Sequence, residues 1–188
     1  MCGLIAAQLQ KPWLGEERLH NALQAIAHRG PDGSSHWFAP DRRTALGHVR
    51  LSIIGLNNGT QPIGHARGDL ELVVNGEFYG YKTIRERLRE KGYHFVTESD
   101  SEIALHLYDQ HGLDFVQHLR GEFAMVIVDR RSGELIAARD RFGIKPLFYA
   151  QHNGDVLFAS EVKALLALGV PARWDACAVM SELSGLRR

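Results

Sequence analysis

The chain opens on Met1-Cys2-Gly3-Leu4-Ile5-Ala6-Ala7-Gln8-Leu9-Gln10, and the reading of these ten residues decides the fold. From Cys2 to Gln10 the run is largely apolar, which predicts a buried strand beginning at the very first residues. A cysteine therefore stands at the head of that strand, directly behind the initiator methionine. A lone cysteine is ordinarily a small buried hydrophobe. This position offers more. Methionine aminopeptidases remove Met1 when a small residue follows, and Cys2 then becomes the N-terminus. Its free α-amine, with a reference pKa of about 7.7–8.0, lies near neutrality. The amine reaches its own thiol, directly or through one water, and can take the thiol proton. Thiol and amine together make a nucleophile–base pair of the N-terminal kind. Gly3 beside them lets a substrate approach the backbone closely.

Working outward, Glu16 to His28 carries Leu19, Leu23 and Ile26 at helical spacing, and His28-Arg29-Gly30-Pro31-Asp32-Gly33 ends that helix in a turn. Short strands are predicted at Ser35 to Phe38, Thr44 to His48 and Leu70 to Val74, with a loop over Asn57 to Pro62. Tyr81 to Lys91 reads as a helix, and Ser99 or Asp100 reads as the N-cap of another that runs to His111. Phe123 to Asp129, Gly133 to Arg139, Pro146 to Ala150 and Val156 to Ala159 alternate with turn residues, predicting a meander of antiparallel strands. A short helix follows from Ser160 through Leu168. Two blocks of strands with helices between them imply an α+β domain. One domain is expected over 2–168. Residues 169–188 read as a linker and the start of a further domain, with a new helix beginning near Trp174.

Composition narrows the function classes. The 188 residues, 45% hydrophobic, suffice for one well-filled core. Lys plus Arg and Asp plus Glu stand at 22 each, so bulk charge steers the chain towards neither nucleic acid nor an acidic membrane. No apolar run reaches membrane-spanning length, and the N-terminus lacks the basic region of a secretory signal. Cys2 and Cys177 cannot build a disulfide framework, so a reducing, cytoplasmic compartment is expected. The ten histidines show no metal-ligand spacing, and no metal is expected.

Further candidates surround Cys2 in the argument. Asn75-Gly76-Glu77 follows an apolar run, and Asn-Gly after a strand is most often a turn. It also offers two donors, the Asn75 amide and the Gly76 N–H, that can converge on a developing oxyanion. Glu77 adds a carboxylate suited to a substrate ammonium. Arg50 sits where a strand meets a loop and is the natural clamp for a carboxylate, against the plainer alternative of a structural ion pair. Asp100 is either a second anion for an ammonium or a helix cap. Nucleophile, base, oxyanion donors, one cation and two anions together describe acyl transfer from a zwitterionic amino-acid amide.

Eight ordered motifs carry a resemblance: Met1 to Leu4, HRGPDG (His28 to Gly33), GHVRLSII (Gly47 to Ile54), QPI (Gln61 to Ile63), NGEFY (Asn75 to Tyr79), SDSE (Ser99 to Glu102), RDRFGIKPLFY (Arg139 to Tyr149) and ASEVKAL (Ala159 to Leu165). From Cys2 to about Leu168 the chain resembles the class II glutamine amidotransferase domain of glutamine-hydrolysing asparagine synthetases. The resemblance implies the N-terminal-nucleophile hydrolase fold, a four-layered αββα sandwich of two antiparallel sheets. It implies Cys2 as nucleophile, Asn75 and Gly76 as the oxyanion hole, and Arg50 as the grip on the glutamine carboxylate. Leu51, Ser52, Ile53 and Ile54 would line that pocket, and Glu77 and Asp100 would read the glutamine amine.

The glutaminase step needs no cofactor in this family. ATP and Mg belong to a C-terminal synthetase domain, whose phosphate loop Leu183-Ser184-Gly185-Leu186-Arg187-Arg188 does not match. The implied partners are glutamine, that synthetase domain and a second copy in a homodimer. Two residues depart from the pattern: Gly80 replaces a usual Asn, and Gly55 a common Asp. Two other readings stay open: a relative from secondary metabolism or polysaccharide assembly with another ammonia acceptor, and a module that senses glutamine without turning it over.

Overall fold

The computed structural model of the protein describes residues 1–13, 15–55 and 58–183. Among them two antiparallel sheets are stacked face to face. The first has the order β2-β3-β1-β9-β8, built from β1 (Gly3–Gln8), β2 (Gly33–Phe38), β3 (Thr44–Arg50), β8 (Phe148–His152) and β9 (Asp155–Ala159). The second has the order β4-β5-β6-β7, from β4 (Ile63–Gly64), β5 (Leu70–Phe78), β6 (Gly121–Asp129) and β7 (Glu134–Arg139).

Strand alternation builds the layers. On β1, Leu4 and Ala6 point between the sheets and meet Leu46, Val73, Ala124 and Val126. Ile5 and Ala7 point outward, against Leu19, Ala22 and Leu23 of helix α1 (Glu17–Ala25) and Leu165 of α4 (Val162–Ala167). Both faces of β1 are therefore buried, which is why its sequence is continuously apolar rather than alternating. The outer face of the second sheet is covered in the same way. Leu88 of α2 (Tyr81–Glu90), Ile103 and Leu107 of α3 (Ile103–His111), and Phe115 pack on Leu70, Leu72, Phe123 and Met125. The result is the expected α+β sandwich of four layers.

The structure corrects several local expectations. Asn75-Gly76 is not a turn. β5 continues through it to Phe78, because β6 pairs along its whole length from Leu70↔Asp129 to Phe78↔Gly121. The final four strands are not one meander. β6 and β7 belong to the second sheet, β8 and β9 to the first. The crossing between them is stabilised by Asp140, whose carboxylate accepts N–H bonds from Phe142, Ile144 and Lys145 at 3.1, 2.9 and 3.0 Å. At the capping position, Ser99 wins: its Oγ accepts the Ser101 N–H at 3.2 Å, and one turn of 3₁₀ helix over Asp100–Glu102 precedes α3. The two-residue strand β4 has too short a pattern to be read from sequence.

Gly55 and Gly80 have φ of 65° and 70°, the left-handed region that glycine enters freely and Asn or Asp tolerate. A last helix, α5 (Ala176–Leu183), lies where a helix was expected from Trp174. Residues 184–188, and Asn57 of the expected loop, lie outside the described residues. Among the described residues no helix is long and apolar enough to cross a membrane.

Candidate active site

The parity that points Leu4 and Ala6 between the sheets also sends Cys2 there, one step beyond the end of β1. On β3, opposite β1 with Gly3↔Val49 and Leu4↔His48, the same face carries Leu46, His48 and Arg50. On β5 of the facing sheet, Val73 packs in that inter-sheet layer, so Asn75 and Glu77 follow on the same side. Three strands from two sheets thus deliver Cys2, Arg50, Asn75 and Glu77 to one end of the sandwich. A pocket there is lined by all four, together with Leu51, Ile53, Ile54, Gly76 and Asp100.

The Cys2 thiol is held by one residue from both sides. Its Sγ accepts the Leu51 N–H at 3.3 Å and faces the Leu51 carbonyl at 3.5 Å. The Cys2 carbonyl accepts a bond from Arg29 Nε at 2.9 Å, and Arg29 is tied through Nη1 to Glu161 Oε1 at 2.9 Å. That cluster, with His28 and Lys163, holds the Glu161 carboxyl at about 2, its burial outweighed by the bonds it accepts. Ser160 brackets Leu4, two residues on, accepting from its N–H and donating to its carbonyl. The strand head is therefore pinned before any ligand arrives. Met1 lines the same pocket.

Asn75 supplies the most informative atom. The residue is 1% exposed, and its Nδ2 donor has no hydrogen-bond partner. A buried unsatisfied donor destabilises by about 1–3 kcal/mol, so a fold that keeps one usually uses it. Gly76 follows. A Cβ there would come within 2.2 Å of the Glu122 carbonyl oxygen, so only glycine lets β5 and β6 approach this closely at this point.

Of the remaining expected residues, Arg50 donates Nη2 to the carbonyls of Gly55 and Ile54 at 2.6 and 3.3 Å. It shapes the loop that carries Ile53 and Ile54 while lining the pocket. Ser52 is the exception in its segment: its N–H goes to Asp32 Oδ2 at 2.7 Å, and it is not among the pocket-lining residues. Asp100 accepts the Phe78 N–H at 2.7 Å, and burial raises its carboxyl above the ordinary range, with Glu77 adding to the rise. A ligand ammonium beside Asp100 and Glu77 would relieve that strain.

The wall also includes residues without an assigned role in the sequence reading, among them His48, Gln61 and Lys145. All three lie inside quoted motifs, but the tasks of His48 and Gln61 depend on which strand they face. His48 Nε2 donates to the Val74 carbonyl at 3.1 Å, bridging the two sheets, and its ring is neutral because burial and the nearby Arg50 charge lower its pKa to about 4. The unfolded chain protonates this histidine near 6.5, whereas the folded chain resists until about 4. Stability is therefore complete above the unfolded value and falls as pH drops through that window, by about 3 kcal/mol at its foot. Urea unfolding between pH 7 and pH 4 should show this slope, and His48→Gln should flatten it. Equal slopes in both proteins would remove His48 as the cause.

The geometry can now be compared with known proteins. A family model described as "Glutamine amidotransferase domain" matches residues 1–186. "Amidase chry2" of Gibberella zeae is 47% identical over 159 residues, covering 84% of this chain and 24% of that protein. An asparagine synthetase (glutamine-hydrolyzing) of Bacillus subtilis is 37% identical over 191 residues, 99% of this chain and 31% of its own length. One of Arabidopsis thaliana is 40% identical over 168 residues, 88% of this chain and 28% of that one. The chain thus spans about a quarter to a third of these relatives. Among solved structures, glutamine phosphoribosylpyrophosphate amidotransferase of B. subtilis superposes with a TM-score of 0.75 at 23% identity, over 89% of this chain and 44% of that one. The αββα sandwich is therefore the N-terminal-nucleophile fold of those amidotransferases. By sequence, and with a fold to match, the chain belongs to the class II glutamine amidotransferase domain family, which it shares with the glutamine-hydrolysing asparagine synthetases.

Proposed function

We propose that this domain hydrolyses glutamine through a thioester on Cys2. The observation that carries the reading is the buried, unpartnered Asn75 Nδ2 in the wall of the pocket that holds the Cys2 thiol. After loss of Met1, the α-amine of Cys2 takes the thiol proton. The sulfur attacks the side-chain amide carbon of glutamine, forming the C–S bond. Negative charge on the former carbonyl oxygen is met by Asn75 Nδ2 and the Gly76 N–H. The α-ammonium returns its proton to the leaving nitrogen, the C–N bond breaks and ammonia departs. Water activated by the same amine then cleaves the thioester and releases glutamate. Arg50 holds the substrate carboxylate, Leu51, Ile53 and Ile54 form the wall beside it, Ser52 anchors that segment to Asp32, and Glu77 with Asp100 bind the substrate ammonium.

The ammonia is destined, in this reading, for an ATP-dependent amide-forming domain. Phe142 and Ile144, on the loop that brings Lys145 to the pocket, are 85% and 54% exposed and suit a surface covered by such a partner. A second reading changes the acceptor alone. It draws on the "Amidase" relatives of Gibberella zeae and Penicillium rubens, at 47% and 44% identity. Both readings share one test. Protein lacking Met1 should release glutamate and ammonia in equal amounts from glutamine, and an electrophilic glutamine analogue should label the Cys2 peptide in mass spectra. Glutamine binding with neither turnover nor labelling would leave only a sensing module.

A further inference from the structure

Every second residue of β5 turns its N–H and C=O away from β6, towards the edge of the strand, as the antiparallel ladder requires. Leu72 does so and meets Ile63 of β4. Asp140 N–H bonds the carbonyl of Phe123, so the pair Gly76↔Phe123 is not hydrogen-bonded across β5 and β6, and Gly76 belongs to the edge-facing set. That set is Leu70, Leu72, Val74, Gly76 and Phe78. Extending the register Ile63↔Leu72 by two residues puts Gln61 opposite Val74. There the ladder is interrupted: the Gln61 carbonyl, which a continued ladder would offer to the Val74 N–H, is taken by Ser35 Oγ.

Side chains complete the edge instead. Gln61 Oε1 accepts the Val74 N–H at 2.6 Å, and His48 Nε2 donates to the Val74 carbonyl at 3.1 Å. Four residues on, the Phe78 N–H goes to Asp100 Oδ2 at 2.7 Å. Between these capped positions the Gly76 N–H faces the pocket. Asn75 sits inside the same short span, its backbone tied to β6 and its Nδ2 in the wall. Gln61 itself is 6% exposed and lines the pocket from the strand edge.

We infer that Gln61 is a positioning residue for the oxyanion site: its side-chain oxygen replaces the missing strand at Val74 and so fixes the two donors that follow. The inference rests on the glutaminase reading above. Loss of this cap would let the edge of β5 shift by fractions of an ångström, and a donor displaced on the scale of 1 Å forfeits about 10²-fold in rate. The stabilisation at risk exists only while charge is on the oxyanion, so it appears in kcat rather than in substrate affinity.

The test compares Gln61→Met, close in shape but with no oxygen, with Gln61→Glu, which keeps one, in chains lacking Met1. Gln61→Met should lower kcat for glutamine roughly 10- to 100-fold with KM within about threefold, and Gln61→Glu should recover most of that loss. Amide exchange supplies a reading independent of turnover: the Val74 N–H should be protected in the wild type and in Gln61→Glu, and exposed in Gln61→Met. Should the methionine variant fail to fold, Gln61→Ser, too short to reach Val74, is measured in its place. A loss carried by KM, equal rates in wild type and Gln61→Met, a glutamate variant as slow as the methionine one, or a Val74 amide still protected without Gln61 would each overturn the inference. An inert wild type with a protected Val74 would instead sink the glutaminase reading while the cap itself stood.

Discussion

Replacing Cys2 with serine should reduce glutamine hydrolysis by at least roughly 10³-fold, a conservative bound given that loss of a single nucleophile elsewhere costs more than that. The change is nearly isosteric. A hydroxyl in this position still meets the Leu51 N–H and carbonyl that hold Sγ at 3.3 and 3.5 Å, and Arg29 still grips the residue's own carbonyl. Folding should therefore be unaffected, and thermal melting of the two proteins should coincide. What changes is the nucleophile. A thiol is far more readily ionised by a neighbouring amine than an alcohol is, and a pocket built around sulfur does not compensate. Blocking removal of Met1 should have an effect of the same order for a different reason: the α-amine becomes an amide without useful basicity, and the methionine lines the pocket. Ammonia release, read beside intact-mass measurement of the N-terminus, checks both. A serine variant retaining a tenth of wild-type turnover, or fully active protein still carrying Met1, would remove Cys2 from the role given to it.

Asn75→Ala carries the second large effect. One oxyanion donor in comparable sites contributes about 2.7–4 kcal/mol to lowering the barrier, so turnover should fall roughly 10²- to 10³-fold. KM should move by less than about threefold, because the donor meets charge that exists only in the transition state. Stability should follow a different course. Asn75 Nδ2 is buried without a partner, so the folded state already bears the penalty of holding it dry. Truncating the side chain removes that penalty, and the folded protein should lose less than about 1 kcal/mol, or gain stability. Steady-state kinetics and urea unfolding of the same variant give both numbers. A loss under about threefold in kcat would take Asn75 out of the site. A large loss of stability would mean that the amide holds the fold rather than the transition state.

Much of this site was legible in the residues themselves. Cys2, Arg50, Asn75, Gly76, Glu77 and Asp100, which line one pocket, are a chemical inventory, and side-chain chemistry does not depend on the fold. The helices were legible for a similar reason: α1, α2 and α3 carry their periodicity within a few turns of chain, and the α+β class follows from the order of helical and strand patterns. The sequence by itself thus determined the chemistry on offer and the class of the domain.

What it could not determine was decided by partners distant along the chain. Asn75-Gly76 has the local signature of a turn, and only pairing with Gly121 to Asp129, some fifty residues away, keeps it extended and aims its donors into the pocket. Ser99 and Asp100 were interchangeable as caps until Phe78, from a neighbouring strand, claimed the Asp100 carboxylate. The split of β6 to β9 between two sheets, and the tasks of His48 and Gln61 at Val74, likewise rest on which strand edge faces which side chain. Hydrogen-bond pairing between strands has no local periodicity to betray it, so the step from a cysteine at the head of a strand to a pocket around it belongs to the tertiary structure alone.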